Sequence, residues 1–325
     1  MLLRSFIVSI SAALCLIAAP GALAQTDYPT KPIRLIVGFA AGGISDVLAR
    51  ALAVKLSLDL GHQVIVENKQ GAGTTIASEF TAKAAPDGYT LFLQDITTHA
   101  INATLYQKLP YDSVKDFTPI GLVASTPLML VVNTATPAKN LGELVALVKA
   151  SPGKYSYASS GIGAITHLAG EMMKTRASID AVHVPYKGSS PATQAILGNE
   201  VTYTFSTMPP AISNIKAGKL RAIAVSTAKR AAATPDVPTM QEAGMKDFDI
   251  LLYSGILGPP GMPAALVRKI NASFAKVVND NDIKTVYGNI GAEPIVESPE
   301  FFAAMLPKEI AKLAPVVRAS GAKAE

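Results

Sequence analysis

The chain has 325 residues and a mass of 33.8 kDa, enough for two ordinary domains. Nearly half of its residues are apolar and few are charged, which excludes a disordered chain, because such chains lack the apolar surface that offsets ordering entropy. A net charge of +5 without a basic block argues against a nucleic-acid partner, and the lone cysteine, Cys15, excludes a disulfide framework, a cysteine zinc site and an iron–sulfur cluster.

Residues 1–24 carry one charge, Arg4, then an apolar run from Phe6 to Ala19, a Pro20-Gly21 break and the small-residue end Ala22-Leu23-Ala24. This layout predicts a secretory signal peptide cleaved after Ala24. The apolar run is shorter than the ~20 residues a spanning helix needs. The mature product is expected to be thiol-free, exported and soluble. Residues 33–39 (IRLIVGF) read as a strand buried on both faces. Leu48, Leu52 and Leu56 recur every four residues in a helix that Ser45 can cap and Gly61 stops. Residues 64–67 supply the next strand and complete a βαβ unit. A helix over 74–85, a Pro86-Asp87-Gly88 turn, a strand over 89–93 and an extended stretch over 120–124 follow. The second half repeats the rhythm: strand 128–132, helix 141–150, strand 155–158, helix 164–176, strand 181–184 and a helix opened by Ser190-Pro191. Strands 201–205 and 221–226 flank a helix over 210–217. An extended run over 250–257 precedes helices over 264–279 and 299–320, the latter interrupted at Pro307. Alternating strands and helices predict an α/β protein with largely parallel sheets, two rather than one at this length.

Four segments share one design, a strand, a small-residue loop and a helix: FAAGG from Phe39, QGAGT from Gln70, SSGIG from Ser159 and YKGSS from Tyr186. Each is expected at a strand's carboxyl end, where open α/β sheets bind ligands. Small side chains let backbone N–H groups approach an anion, and the following helix presents its positive end. Thr97, Thr98 and His99 after one strand, and Ser206 and Thr207 after another, are expected on the same rim. Phosphate-loop and nucleophile-elbow motifs are absent, and Thr166 stands where a dinucleotide motif needs its third glycine. Scattered histidines and the lack of an H-E-x-x-H motif argue against a metal. His167 and Glu171 read as a helix-surface pair, His183 as a core or loop histidine, and Asp46 with Arg50 as a surface ion pair. A serine–histidine hydrolase is the competing reading, because serines and histidines are present in loops.

Motifs through nearly all of the mature chain resemble the Bug-type periplasmic substrate-binding proteins of tripartite tricarboxylate transporters. They include YPTKPIRLIVGFAAGG from Tyr28, VIVENKQGAG from Val64, PDGYTL from Pro86, HAIN from His99 and LPYDSVKDFTPI from Leu109. Later matches are KYSYASSGIGAITHLAGE from Lys154, VHVPYKGSSPA from Val182, IKAGKLRAIAVSTAKR from Ile215 and PDVPTMQEAG from Pro235. The resemblance implies a two-lobed clamshell of the type II periplasmic-binding-protein architecture. It implies a monomeric periplasmic binding protein without cofactor or catalysis. Such a protein captures a small organic carboxylate and delivers it to membrane transporter subunits; a sensor presenting its closed form to a receptor is the alternative. The lobes would divide at 25–125, 126–251 and 252–325, the last part rejoining the first. The implied ligand residues are Phe39, Ala40, Gly42, Gly43, Ala72, Gly73, Thr97 and Thr98 from one lobe and Ser159, Gly161, Gly163, Thr166, Phe205 and Ser206 from the other. Gln94-Asp95-Ile96-Thr97 replaces the small-residue run usual in relatives, and Ser206-Thr207 stands where many carry Asp-Asn. The direction of Asp95 therefore decides whether an ammonium group can be accepted, and without such a partner a non-amino acid is expected.

Overall fold

The computed structural model describes residues 28–322 and residue 324. The expected signal peptide and cleavage point, with Cys15, lie outside the described residues. In chain order the first elements are β1 (Ile33–Val37), α1 (Ile44–Leu60), β2 (Val64–Asn68), a 3₁₀ turn at Ala72–Thr74, α2 (Thr75–Ala82), β3 (Thr90–Asp95) and α3 (Ile96–Leu105). β4 (Thr118–Asn133), α4 (Leu141–Lys149), β5 (Ser156–Ser159), α5 (Ile165–Ala177), β6 (Val182–Pro185) and α6 (Ser189–Leu197) follow. The chain continues through β7 (Tyr203–Thr207), α7 (Met208–Lys216), β8 (Leu220–Val225) and β9 (Leu251–Gly258). It ends with α8 (Ala264–Val278), α9 (Asn281–Asn289), β10 (Glu293–Pro294) and α10 (Pro299–Ser320).

The strands run in the order β2-β1-β3-β9-β4-β7-β5-β6, with β8 and β10 also paired to β4. β4 belongs to both lobes. Up to Pro127 it pairs with β9, and from Leu128 onward it pairs with β7 and β8. The stretches 120–124 and 128–132, expected as separate strands, are therefore one 16-residue strand. Within each lobe the outer pairs are parallel, β1 with β2 and β3, and β5 with β6 and β7. β9 is antiparallel to both β3 and β4. The expectation of largely parallel sheets gives way to mixed sheets for a topological reason: β4 leaves the first lobe as β9 returns to it, so the two crossing strands run in opposite directions.

Ser226 joins both crossings. Its hydroxyl accepts the Leu128 N–H at 2.9 Å and donates to the Ile250 carbonyl at 2.7 Å. Its backbone accepts from Ile250 and donates to Leu128, both at 2.9 Å. The chain therefore passes between lobes along fully hydrogen-bonded backbone. Leu35, Leu48, Leu93, Leu128, Tyr157 and Phe205 belong to one continuous buried cluster that runs under both sheets. α10 continues through Pro307 and Pro315 instead of breaking at Pro307, and packs along α3 with a further contact to α5.

α3 and α9 have no counterpart among the expected helices. Asp95 caps α3 by accepting the Thr98 N–H, and Asp280 caps α9 by accepting from Asp282 and Ile283. Ser45 does not cap α1; the cap position is Gly43, and Ser45 lies within the first turn.

Candidate functional site

Five helices begin around one narrow cavity between the lobes, which in this closed form encloses only about 10 Å³. Gly43, Ile44 and Ser45 open α1, Asp95 caps α3, Ile165 and Thr166 open α5, Ser189 opens α6 and Thr207 directly precedes α7. Phe39, Ser160 and Leu252 complete the wall. The positive ends of these helices, and the N–H groups they leave free, create a field for an anion; α7 contributes its dipole more than its donors, since Pro209 and Pro210 in its first turn have no N–H. Two wall hydroxyls, Ser45 Oγ from the first lobe and Thr207 Oγ1 from the second, are buried without a hydrogen-bond partner. Unpaired buried polar atoms cost free energy, and these two hydroxyls are free to hydrogen-bond a polar solute in the cavity.

The cleft is closed. Ala40 N–H donates to the Lys187 carbonyl at 3.0 Å, and Ile165 N–H donates to Thr98 Oγ1 at 3.1 Å. Two glycines permit this approach. A Cβ on Gly73 would lie 2.2 Å from the Ile162 carbonyl oxygen, and one on Gly163 would lie 2.3 Å from Asn102 Oδ1. Both residues have positive φ, +56° and +81°, a second reason for glycine at each. A larger outer hollow at the cleft mouth is lined by Phe39, Ala72, Gly73, Tyr106, Gly161 and Lys187 among others.

Asp46 shapes the first-lobe loop. Its carboxylate is almost fully buried and accepts from Gly42 N–H at 3.0 Å, Asn68 Nδ2 at 3.0 Å and Arg50. Burial pushes this carboxyl up, but Arg50, Gly42 and Asn68 together outweigh it and hold it below the usual range. The pair expected as a surface salt bridge is thus the clamp of the Ala40–Gly43 turn. Asp95 has no such cation. Burial drives its carboxyl up to about 6 despite hydrogen bonds from the Thr97 and Thr98 backbone and the Thr98 hydroxyl. Its two oxygens receive Thr98 N–H at 2.9 Å and Thr98 Oγ1 at 2.6 Å.

In the second lobe Ser160 N–H donates to Thr166 Oγ1 at 2.8 Å, and Ser159 Oγ lies 2.6 Å from His183 Nε2. Among the described residues no carboxylate hydrogen-bonds His183, and neither Ser159 nor His183 lines the cavity, so the pair has no orienting third group and does not face the cavity. Among the described residues no group of three or more potential metal ligands is present.

Of the residues expected at the site, Phe39, Gly43 and Thr166 line the inner cavity, and Ala72, Gly73 and Gly161 line the mouth with Phe39. Ala40, Gly42, Thr98, Ser159 and Gly163 lie behind these walls or in the contacts across the cleft. Four placements differ from expectation. Thr97 Oγ1 donates to the Leu251 carbonyl and accepts the Tyr253 N–H, tying α3 to β9. Phe205 stacks on Phe248 within the core, 5.6 Å between ring centroids. Ser206, on the opposite face of β7 from Thr207, bonds Thr193 at 3.0 Å and the Thr207 carbonyl. His99, expected on the rim, is buried against Tyr111 and Phe117, with Nε2 2.8 Å from the Ser113 carbonyl. Ser45, Asp95 and Leu252 were not among the expected ligand residues. A serine two residues after a double glycine was the available signal for Ser45, since its hydroxyl is not needed as a cap.

A two-lobed mixed α/β fold closing on a cavity ringed by helix starts defines the periplasmic-binding-protein class. Residues 48–322 match the model of the tripartite tricarboxylate transporter family receptors, TctC. The chain belongs to that family and is an extracytoplasmic solute-binding protein. Protein BugT of Bordetella pertussis (strain Tohama I) is 35% identical over 308 residues, covering 94% of each chain. The solved structure of the periplasmic binding protein BugD is 34% identical, with a TM-score of 0.88, over 92% of this chain and 100% of that one. R. palustris Rpa4515, solved with adipate, is 31% identical with a TM-score of 0.87, over 90% of this chain and 98% of that one.

Proposed function

We propose that this protein captures a small, non-amino organic carboxylate in the cavity between its lobes and presents it, in the periplasm, to the membrane subunits of a tripartite tricarboxylate-type transporter without chemical change. The convergence of five helix starts on one cavity carries the reading. A micromolar ligand requires about 8 kcal/mol. One helix start contributes only about 0.3–1 kcal/mol at an exposed site. Several starts and the two unpaired hydroxyls, contributed by both lobes, therefore have to act together, which makes closure part of affinity. The lobes divide at 25–125, 126–251 and 252–325, turning about the crossings near Thr126 and Leu251. The Ser226 staple supports these hinge positions.

Asp95 favours the non-amino class. It is the one carboxylate among the described cavity-wall residues, and each of its oxygens already accepts a hydrogen bond from Thr98 as the cap of α3, which leaves it less free to turn toward an ammonium group. With the Phe205 ring in the core, the apolar part of the ligand meets Phe39, Ile44, Ile165 and Leu252 instead. Adipate in R. palustris Rpa4515 fits this chemistry. Membership of the receptor family supports the transporter partner and the location.

A thermal-shift panel of dicarboxylic, hydroxycarboxylic and aromatic acids, amino acids and neutral amides tests the reading, because stabilisation grows with the logarithm of ligand concentration over Kd. Non-amino carboxylates should raise the midpoint and their amides should not. Equal shifts from the amides would remove the anion site. Shifts from amino acids alone would make Asp95 the ammonium partner. Recovery of the bound acid unaltered after prolonged incubation checks the absence of turnover.

A further inference from the structure

Four aromatic rings form a continuous column through the second lobe. Tyr203 stacks on Tyr157 at 5.5 Å, Tyr157 on His183 at 4.9 Å, and His183 on His167 at 4.0 Å with a 10° interplanar angle. Gly170 makes room for it, since a Cβ there would lie 2.2 Å from the Tyr157 ring. The column ends under the glycine loop that faces the first lobe. Gly163 N–H donates to His167 Nδ1 at 3.3 Å. Gly161 N–H donates to Ser159 Oγ at 3.1 Å, and that oxygen lies against His183 Nε2. The two imidazoles thus hold both ends of the Gly161–Gly163 segment, whose Ile162 carbonyl and Gly163 Cα press against Gly73 and Asn102 across the cleft.

We infer that His167 is the positioning residue of this loop, and that the loop holds its closed position only while the stacked imidazole pair is neutral. The inference rests on reading the cleft as the ligand site. Its chemistry is direct. A neutral imidazole can accept at Nδ1, whereas an imidazolium donates at both nitrogens, so protonation of His167 removes the acceptor for Gly163. A charge on either ring also lies 4.0 Å from the other, at a site where His167 is buried and His183 only partly open to water. The titratable groups facing the pair are Tyr157 from β5, Tyr203 from β7, and Glu171 and Lys174 from α5. Tyr157 OH donates to Glu171 Oε1 at 2.5 Å, and Lys174 bonds the same carboxylate at 3.1 Å, so the anion is engaged by other donors. Burial lowers His167 to about 4, with Glu171 opposing and Lys174 reinforcing the effect. Burial, then His167 and Lys174, lower His183 to about 3. Acidification should therefore release the loop and open the cleft.

The test uses the whole mature chain, labelled with ¹⁵N-glycine and ¹³C-histidine, titrated from neutral to acid pH without ligand. Histidine and glycine resonances are followed by NMR, lobe closure by small-angle scattering and global folding by circular dichroism. Both imidazoles should titrate about two pH units or more below a free histidine. The Gly163 amide should move with His167, and the particle should expand over the same range before it unfolds. His167→Asn places an amide oxygen where Nδ1 lies, so it should keep the neutral-pH loop and abolish the acid-induced movement. His167→Leu should displace the Gly163 amide at every pH. Titration of either imidazole near its free value, or acid movement in His167→Asn equal to the native protein's, would overturn the inference. If His167→Leu fails to fold, His167→Asn alone decides. No ligand enters the measurement, so its failure leaves the carboxylate reading standing.

Discussion

The two lobes hold their cleft loops by opposite means. The first-lobe turn Ala40–Gly43 is clamped by a buried carboxylate, Asp46, matched to Arg50, Asn68 and a backbone N–H. The second-lobe loop Ser159–Gly163 is held by neutral groups, two hydroxyls and two imidazoles. A charged clamp gives strength but adds a fixed negative charge, which Arg50 offsets on the side away from the cavity. A neutral clamp leaves the field of the α5 start undiminished for an anionic solute, and it is open to protonation. The linkage signs separate them. Asp46 sits below its ordinary value, so its contribution is present above about pH 4 and lost as pH falls through the lowered value. The histidines also sit below theirs. Their stability contribution is full above pH 6.5 and declines as pH falls toward about 4 for His167.

The largest expected effect comes from breaking the charged clamp. Asp46→Ala leaves Gly42 N–H, Asn68 and Arg50 without their common acceptor and should cost about 3 kcal/mol in urea unfolding at pH 7. A loss under about 1 kcal/mol would mean that water replaces the carboxylate and that the clamp is ordinary surface electrostatics.

Asp95 sharpens the contrast from the other side, as a buried carboxylate with no cation. Its raised value means the folded chain takes its proton at about 6, before the unfolded chain does at 3.8. Stability from this group is therefore gained as pH falls through that window, opposite in sign to Asp46 and the histidines. Asp95→Asn, which retains an oxygen to cap α3, should stabilise the free protein by about 1–2 kcal/mol at pH 7.5 and by much less at pH 4.5. An equal gain at both pH values would show that the folded carboxyl takes its proton no earlier than the unfolded one and is not raised by burial.

Ser45→Ala should have the smallest effect on folding, within about 0.5 kcal/mol, because its hydroxyl has no partner to lose. Carboxylate affinity should fall instead. Unchanged affinity in calorimetry would remove Ser45 from the site.

Legibility in the sequence followed the range of the determining interaction. The βαβ rhythm and the four glycine loops depend on local pattern and are plain in residues 33–67 and 159–190. α3 was hidden because its ITTHAINATL segment is rich in β-branched residues and His99, and its stability comes from packing against α10. α9 was hidden by the Asn- and Asp-rich NDND stretch that reads as a loop. At the site, the choice between Ser206 and Thr207 turned on one residue of strand register, which reverses the face a side chain occupies. Asp46 and Arg50 have helical surface spacing, and nothing local says that Asn68 and Gly42 will bury the carboxylate. The ring column unites residues from three strands and one helix, a long-range juxtaposition that spacing cannot reveal.

The position of β9 between β3 and β4 has a kinetic consequence. β3 ends at Asp95, and its partner β9 begins only at Leu251, after every strand of the second lobe has been made. The second lobe can pair β7 and β8 with the far half of β4, and β5 and β6 beyond β7, while the first lobe still waits with an open β3 edge. The first sheet is completed only when β9 inserts between two strands already present. Such late, non-local pairing is slow and leaves an edge exposed to other chains. Pulse-labelling hydrogen exchange during refolding should find the amides of β5 and β7 protected before those of β9. Through this order of assembly, the strand that brings the chain back to the first lobe also makes that lobe the last to fold.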